Sequence, residues 1–114
     1  GAEGGKEAGP GPGGIGPTLR LADFVVHLRN PEVDRYARLS FEIELANDKD
    51  KDSLNPHLPK VREAFIAYLS DRTLEELRGS DGIEKTKEAL LAKLKVAVPS
   101  VTPRAIYITD IVIQ

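Results

Sequence analysis

Hydrophobic and polar positions alternate in step with a β-strand over three stretches of this chain and recur at helical spacing over two others. Leu19-Arg20-Leu21 alternates, and Phe24, Val26 and Leu28 then alternate on the opposite parity. Two half-patterns out of phase predict one long strand with a bulge or face switch near Ala22-Asp23. Asn30-Pro31 marks a turn. Leu39, Phe41, Ile43 and Leu45 then alternate with Ser40, Glu42 and Glu44, the pattern of a strand with one buried and one wet face. Two strands so close in sequence predict an antiparallel pair.

The period then changes. Asn47 to Ser53 reads as a charged loop. Leu54, Leu58, Val61, Phe65, Tyr68 and Leu69 share one helical face, with Asn55-Pro56 as a cap and first position and Pro59 leaving the start open. Thr73-Leu74-Glu75-Glu76 has capping-box spacing, and Gly79 suits the position just past a short helix. A last helix from Ser80-Asp81 carries Ile83, Leu90, Leu91, Leu94, Ala97 and Val98 on one side. Lys87 falls inside that stripe, so its stem must lie along the surface with the ammonium wet. Pro99 and Pro103 end the helical region, and Ala105 to Gln114 forms a strand.

The expected order is β-β-α-(α)-α-β: an α+β domain with a small antiparallel sheet and two main helices on one face. In the last strand Ala105, Tyr107, Ile111 and Ile113 fall on one parity, and Ile106, Ile108 and Val112 on the other. Two explanations stay open. Either the strand presents an apolar second face that another molecule covers, or a bulge at Thr109-Asp110 changes the parity.

Residues 1–17 differ in kind, with eight of the ten glycines and three of the eight prolines. Such a stretch buries too little apolar surface to offset its ordering entropy. It is expected to be a flexible linker of roughly 20–25 Å root-mean-square reach, with the folded domain at residues 18–114. Methionine is absent even at position 1, so the chain is expected to be a piece from which something N-terminal is missing. Its longest apolar run, Ala64 to Leu69, is far below the ~20 residues a spanning helix needs.

Chemistry is sparse. A net charge of −2 with interspersed signs argues against nucleic acid and against capture by an anionic membrane surface. Without cysteine there is no disulfide or thiolate site, and His27 and His57 alone cannot complete a zinc site. Asp48-Lys49-Asp50-Lys51-Asp52 opens like a calcium loop, but Ser53 stands where Gly is needed and Pro59 where the bidentate Glu belongs. Gly79-Ser80-Asp81-Gly82 lacks the lysine and the glycine spacing of a phosphate loop. No nucleophile stands in a triad pattern with either histidine. No catalytic residue, metal, cofactor or small-molecule substrate is expected.

Three stretches together resemble the C-terminal region of the flagellar basal-body-associated FliL family. They are Leu21-Ala22-Asp23-Phe24-Val25-Val26-His27-Leu28 with Arg35-Tyr36 and Leu39 to Leu45, then Leu58 to Ile66 with Leu69 to Leu77, and the closing Ile106 to Gln114. His27 departs from the Asn expected in many members. The resemblance implies a stomatin- or prohibitin-like core in the periplasm, held to the inner membrane by a single N-terminal helix outside this sequence. It implies a homo-oligomeric ring that stabilises the active flagellar stator. The alternative is a stomatin-like membrane scaffold for another transporter or channel. On either reading the candidate interface residues are Phe24, Val26, Arg35, Tyr36, Ile106, Ile108 and Val112.

Overall fold

The computed structural model describes residues 14–114. Strands β1 (Thr18–His27), β2 (Tyr36–Leu45) and β3 (Pro103–Ile113) form an antiparallel sheet in the order β1-β2-β3. The central strand therefore bonds on both sides. Ala37, Leu39, Phe41, Ile43 and Leu45 are all buried on its helix-facing side, as period-two alternation requires.

Both flanking strands carry a bulge, and the two meet at Ser40. In β1, Leu21 pairs with Phe41 and Phe24 with Leu39, so Ala22 and Asp23 together oppose Ser40. The extra residue restores Leu21, Phe24 and Val26 to one face, as the out-of-phase pattern predicted. The Ser40 hydroxyl donates to Asp23 Oδ1 at 2.7 Å. In β3, Asp110 pairs with Ser40 and Ile108 with Phe41, leaving Thr109 outside the ladder. This settles the two-parity question for β3. Ile106 and Ile108 before the bulge, and Ile111 and Ile113 after it, all pack toward the helices. The expected apolar second face is therefore reduced mainly to Val112. A further shift between Glu44 and Leu45 leaves Arg104 out of the pairing.

Between β2 and β3 the chain is helical. The charged run expected as a loop winds instead into α1 (Asp48–Leu54). Asn47 caps it, its side chain accepting the Asp50 amide at 2.8 Å, and Asp48 and Asp50 sit in the first turn where the helix dipole favours anions. Leu54, assigned by periodicity to the following helix, is the buried anchor of this one. A single 3₁₀ turn, Asn55–His57, leads into α2 (Leu58–Ser70), where Pro59 occupies the first turn and spares a backbone donor.

The short α3 (Leu74–Leu77) starts with the expected capping box, as Thr73 and Glu76 satisfy each other's backbone amides. Gly79 has φ +77, which a residue with a Cβ adopts at a cost, and α4 (Gly79–Ala97) follows at once. At Gly82 a Cβ would stand 2.8 Å from the Leu77 carbonyl carbon, so only glycine lets α4 start this close to α3.

Helices α2 and α4 pack side by side on one face of the sheet. All three phenylalanines gather there. Phe24 meets Phe41 edge-on at 5.3 Å between centroids, Phe41 meets Phe65 at 5.6 Å, and Phe24 lies 6.0 Å from Phe65. The cluster joins β1, β2 and α2, while Leu90 and Leu94 of α4 complete the core. The Arg62 guanidinium lies over the Phe24 ring at 4.2 Å. Because Phe65 closes this triangle, Phe65→Ala is expected to lower the unfolding free energy by about 3–5 kcal/mol, measured by urea denaturation.

Candidate interaction surfaces

The sheet face turned away from the helices displays the alternate residues of each strand, and its two ends differ. At one end Val25 is 66% exposed and Tyr36 46% exposed, with Val112 half-buried beside them. Together with Ala37, Arg38 and Gln114 they line a shallow cavity of about 170 Å³. The His27 ring stacks on Tyr36 at 4.7 Å, and its Nε2 lies 3.2 Å from Asp34 Oδ1. Arg38 and Asp110 face each other across the strands at 3.7 Å; both are half-exposed, so their pairing adds little stability. Paired backbone bonds between Tyr36 and Gln114, 2.8 and 3.0 Å, fix the floor of this patch.

The opposite end is built around a buried carboxylate. Glu44 accepts the Tyr107 hydroxyl at 2.5 Å and the Gly16 amide at 2.7 Å, with Arg104 3.8 Å away. The Tyr107 hydrogen bond, then the Gly16 amide and finally Arg104 hold this carboxyl below the usual range, against the opposing effect of burial. The same bond and the loss of solvent push the Tyr107 phenol up. Lys87 reaches from α4 to within 5.7 Å of the Tyr107 ring and 3.7 Å of Glu84, so its stem is partly covered and its ammonium stays outside the core.

A third surface lies between α2 and α4 on the side away from the sheet. Ala64, Ala67, Ala92 and Ala97 line an open groove of about 680 Å³, with Val96 82% exposed at its edge. The short alanine side chains keep the groove open, and Lys60 crosses one end to donate to the Ala97 carbonyl at 3.3 Å.

The residues expected at an interface divide sharply. Phe24, Val26 and Ile106 are corrected to the core: each is at most 3% exposed and faces the helices, because the bulges reset the parity. Ile108 is half-buried against the same core. Arg35 is half-buried in the β1–β2 loop, where its carbonyl accepts the Leu28 amide at 2.8 Å. Only Tyr36 and Val112 meet on the open face. Val25 and Val96 are exposed apolar residues that the pattern reading passed over. Val25 was legible as the odd-parity residue between Phe24 and Val26, and Val96 as the apolar residue off the Leu90–Leu94 stripe.

Among the described residues no group of three or more His, Asp or Glu is placed to hold a metal, and no helix is long and apolar enough to cross a membrane. The domain offers three surfaces, two apolar and one built on a carboxylate, on an α+β frame. Residues 18–114 match the family described as flagellar basal body-associated protein FliL, and the chain belongs to that family. It is 33% identical over 91 residues to a flagellar protein FliL of Aquifex aeolicus, covering 80% of this chain and 56% of that protein. It is 26% identical over 105 residues to a flagellar FliL protein of Caulobacter vibrioides, covering 91% and 51%. The chain thus spans about half the length of the curated relatives it matches.

The burial contrast gives a direct check. Val25→Lys and Val96→Lys should each change the unfolding free energy by no more than about 1 kcal/mol. Ile106→Lys, which buries an unpaired charge, should cost more than about 4 kcal/mol. Chemical denaturation of the three variants measures both.

Proposed function

We propose that this domain is a non-catalytic accessory part of the flagellar motor that self-associates, in a ring or a smaller oligomer, and stabilises the active torque-generating stator. It works in the periplasm on a stomatin-like core, and residues 1–17 form the linker to a helix in the inner membrane. Family membership carries the motor assignment. The geometric support for assembly is the Val25–Tyr36–Val112 patch, where apolar and aromatic side chains stay open to contact on a rigid sheet.

The mechanism needs no chemical step. A partner that binds only one form of the stator shifts the stator toward that form by the difference in binding free energy. Attachment to the membrane raises the local concentration, so contacts that are weak one at a time accumulate around an assembly. The aromatic pair His27–Tyr36 and the aliphatic Val25 and Val112 offer a compact patch, of the kind in which a few residues dominate binding.

The test uses the full-length membrane-anchored protein carrying Val25→Lys and Val112→Lys together. The reading expects wild-type protein to co-purify with stator subunits and to sediment as an oligomer. The double variant should lose at least about 90% of both signals while its domain stays folded, since two central contacts each contribute more than about 1 kcal/mol. Undiminished co-purification and sedimentation in the double variant would remove this patch from the account. A wild-type protein that neither associates with itself nor retains stator subunits would remove the function.

A further inference from the structure

We propose that Glu44 is the latch of a releasable clasp that pins the N-terminal approach segment, residues 14–17, to the end of the central strand. The clasp closes when the carboxylate is charged. The segment lies ahead of β1 and outside the strand ladder, yet Gly16 is buried. Two bonds hold it, and both end on β2. The Gly16 amide donates to Glu44 Oε2 at 2.7 Å, and the Pro17 carbonyl accepts the Leu45 amide at 2.9 Å.

The fit is tight enough to specify the residue. A Cβ on Gly16 would fall 2.1 Å from the Leu45 carbonyl oxygen, a distance no side chain tolerates. Glycine is required there for close approach to the backbone. The carboxylate is also divided in its use. Oε1 accepts from Tyr107 while Oε2 accepts from Gly16. Protonation turns one oxygen into a donor, so two donors can no longer both be satisfied without rearrangement.

The surroundings set the direction. From β3, Tyr107 donates to Glu44 and Arg104 adds positive charge at 3.8 Å; from α4, Lys87 approaches the Tyr107 ring. On the same outer face, one pleat along, stand Glu42 of β2 and its β1 partner Arg20. The folded carboxyl titrates below the ordinary value of 4.5. The closed form is therefore fully favoured above that value, and its advantage is lost as pH falls through the folded pKa.

The clasp stands on contacts within the domain. Its use, fixing where a linker enters the domain, rests on the linker reading above. Amide exchange by NMR separates the two, because it reads the clasp without reference to assembly. The Leu45 amide is the reporter, as it donates to the Pro17 carbonyl of the clasped segment. Glu44→Ala and, independently, Gly16→Ala are expected to speed its exchange by about tenfold to a hundredfold, the range for a hydrogen bond to a charged group. The amide of Phe41, deep in β2, should change far less.

In wild-type protein the Leu45 protection, corrected for intrinsic rates, should fall as pH drops below 4.5. In Glu44→Gln it should be low and independent of pH. If Glu44→Ala unfolds the domain, Gly16→Ala still decides, since it replaces neither the carboxylate nor any residue of the three strands. Leu45 exchange that follows global unfolding in wild type and is unaffected by Gly16→Ala would overturn the clasp. So would the same acid response in Glu44→Gln as in wild type.

Discussion

A strand that bonds on both sides and is covered by helices on one face has almost no freedom of register. Sliding β2 by one residue would turn Phe41, Leu39 and Ile43 to the wet face and bring Ser40, Glu42 and Glu44 inside. Its neighbours must fit themselves to it. The fit is made by bulges, not by changing the central strand, and both bulges lie against Ser40. Each increases the local twist, and with the parity so reset the three phenylalanine rings close into one triangle on the inner face. The rest of the architecture hangs on that strand.

Because β2 fixes the inner face, it also fixes what is left outside. The outer face runs from an apolar aromatic end at Tyr36 to a carboxylate end at Glu44, both at the extremities of the same strand. The two ends suit different tasks. Apolar and aromatic side chains on a rigid sheet suit contact with another protein. A buried carboxylate with three positive or hydrogen-bearing neighbours suits the capture of backbone donors. The separation also keeps the chain's own approach segment away from the apolar patch, so nothing among the described residues covers it.

Strand alternation and helix periodicity made the element order, the helix faces, the capping box at Thr73 and the β1 bulge legible from the sequence. Two things escaped. The run Asp48 to Ser53 looked like a loop because its charges carry no apolar stripe. Its helix depends on a cap at Asn47, on the helix dipole and on one buried residue, Leu54, and a short helix docked at one point has no period to detect. The exposed outer-face residues were misplaced for a different reason. Parity along β3 depends on where Thr109 leaves the ladder, and a Thr-Asp pair reads equally well as continuous strand. Once that bulge is placed, Ile106 belongs to the core and Val112 to the outside. Phe24 and Val26 could have been assigned correctly, since the β1 bulge was visible and puts them on the side of Leu21. The Glu44 clasp left no pattern at all, because it joins residues 28 apart in sequence.

The unpaired Thr109 has a consequence for how this domain tolerates change. Replacing it with another residue leaves the backbone step in place and should matter little. Losing its codon in frame would close the ladder into regular alternation: Ile108 would stay opposite Phe41 and Asp110 opposite Ser40, so Ile111 and Ile113 would keep facing the helices. The bulge is therefore the place in β3 where the strand can shorten by one residue without turning a side chain to the other face.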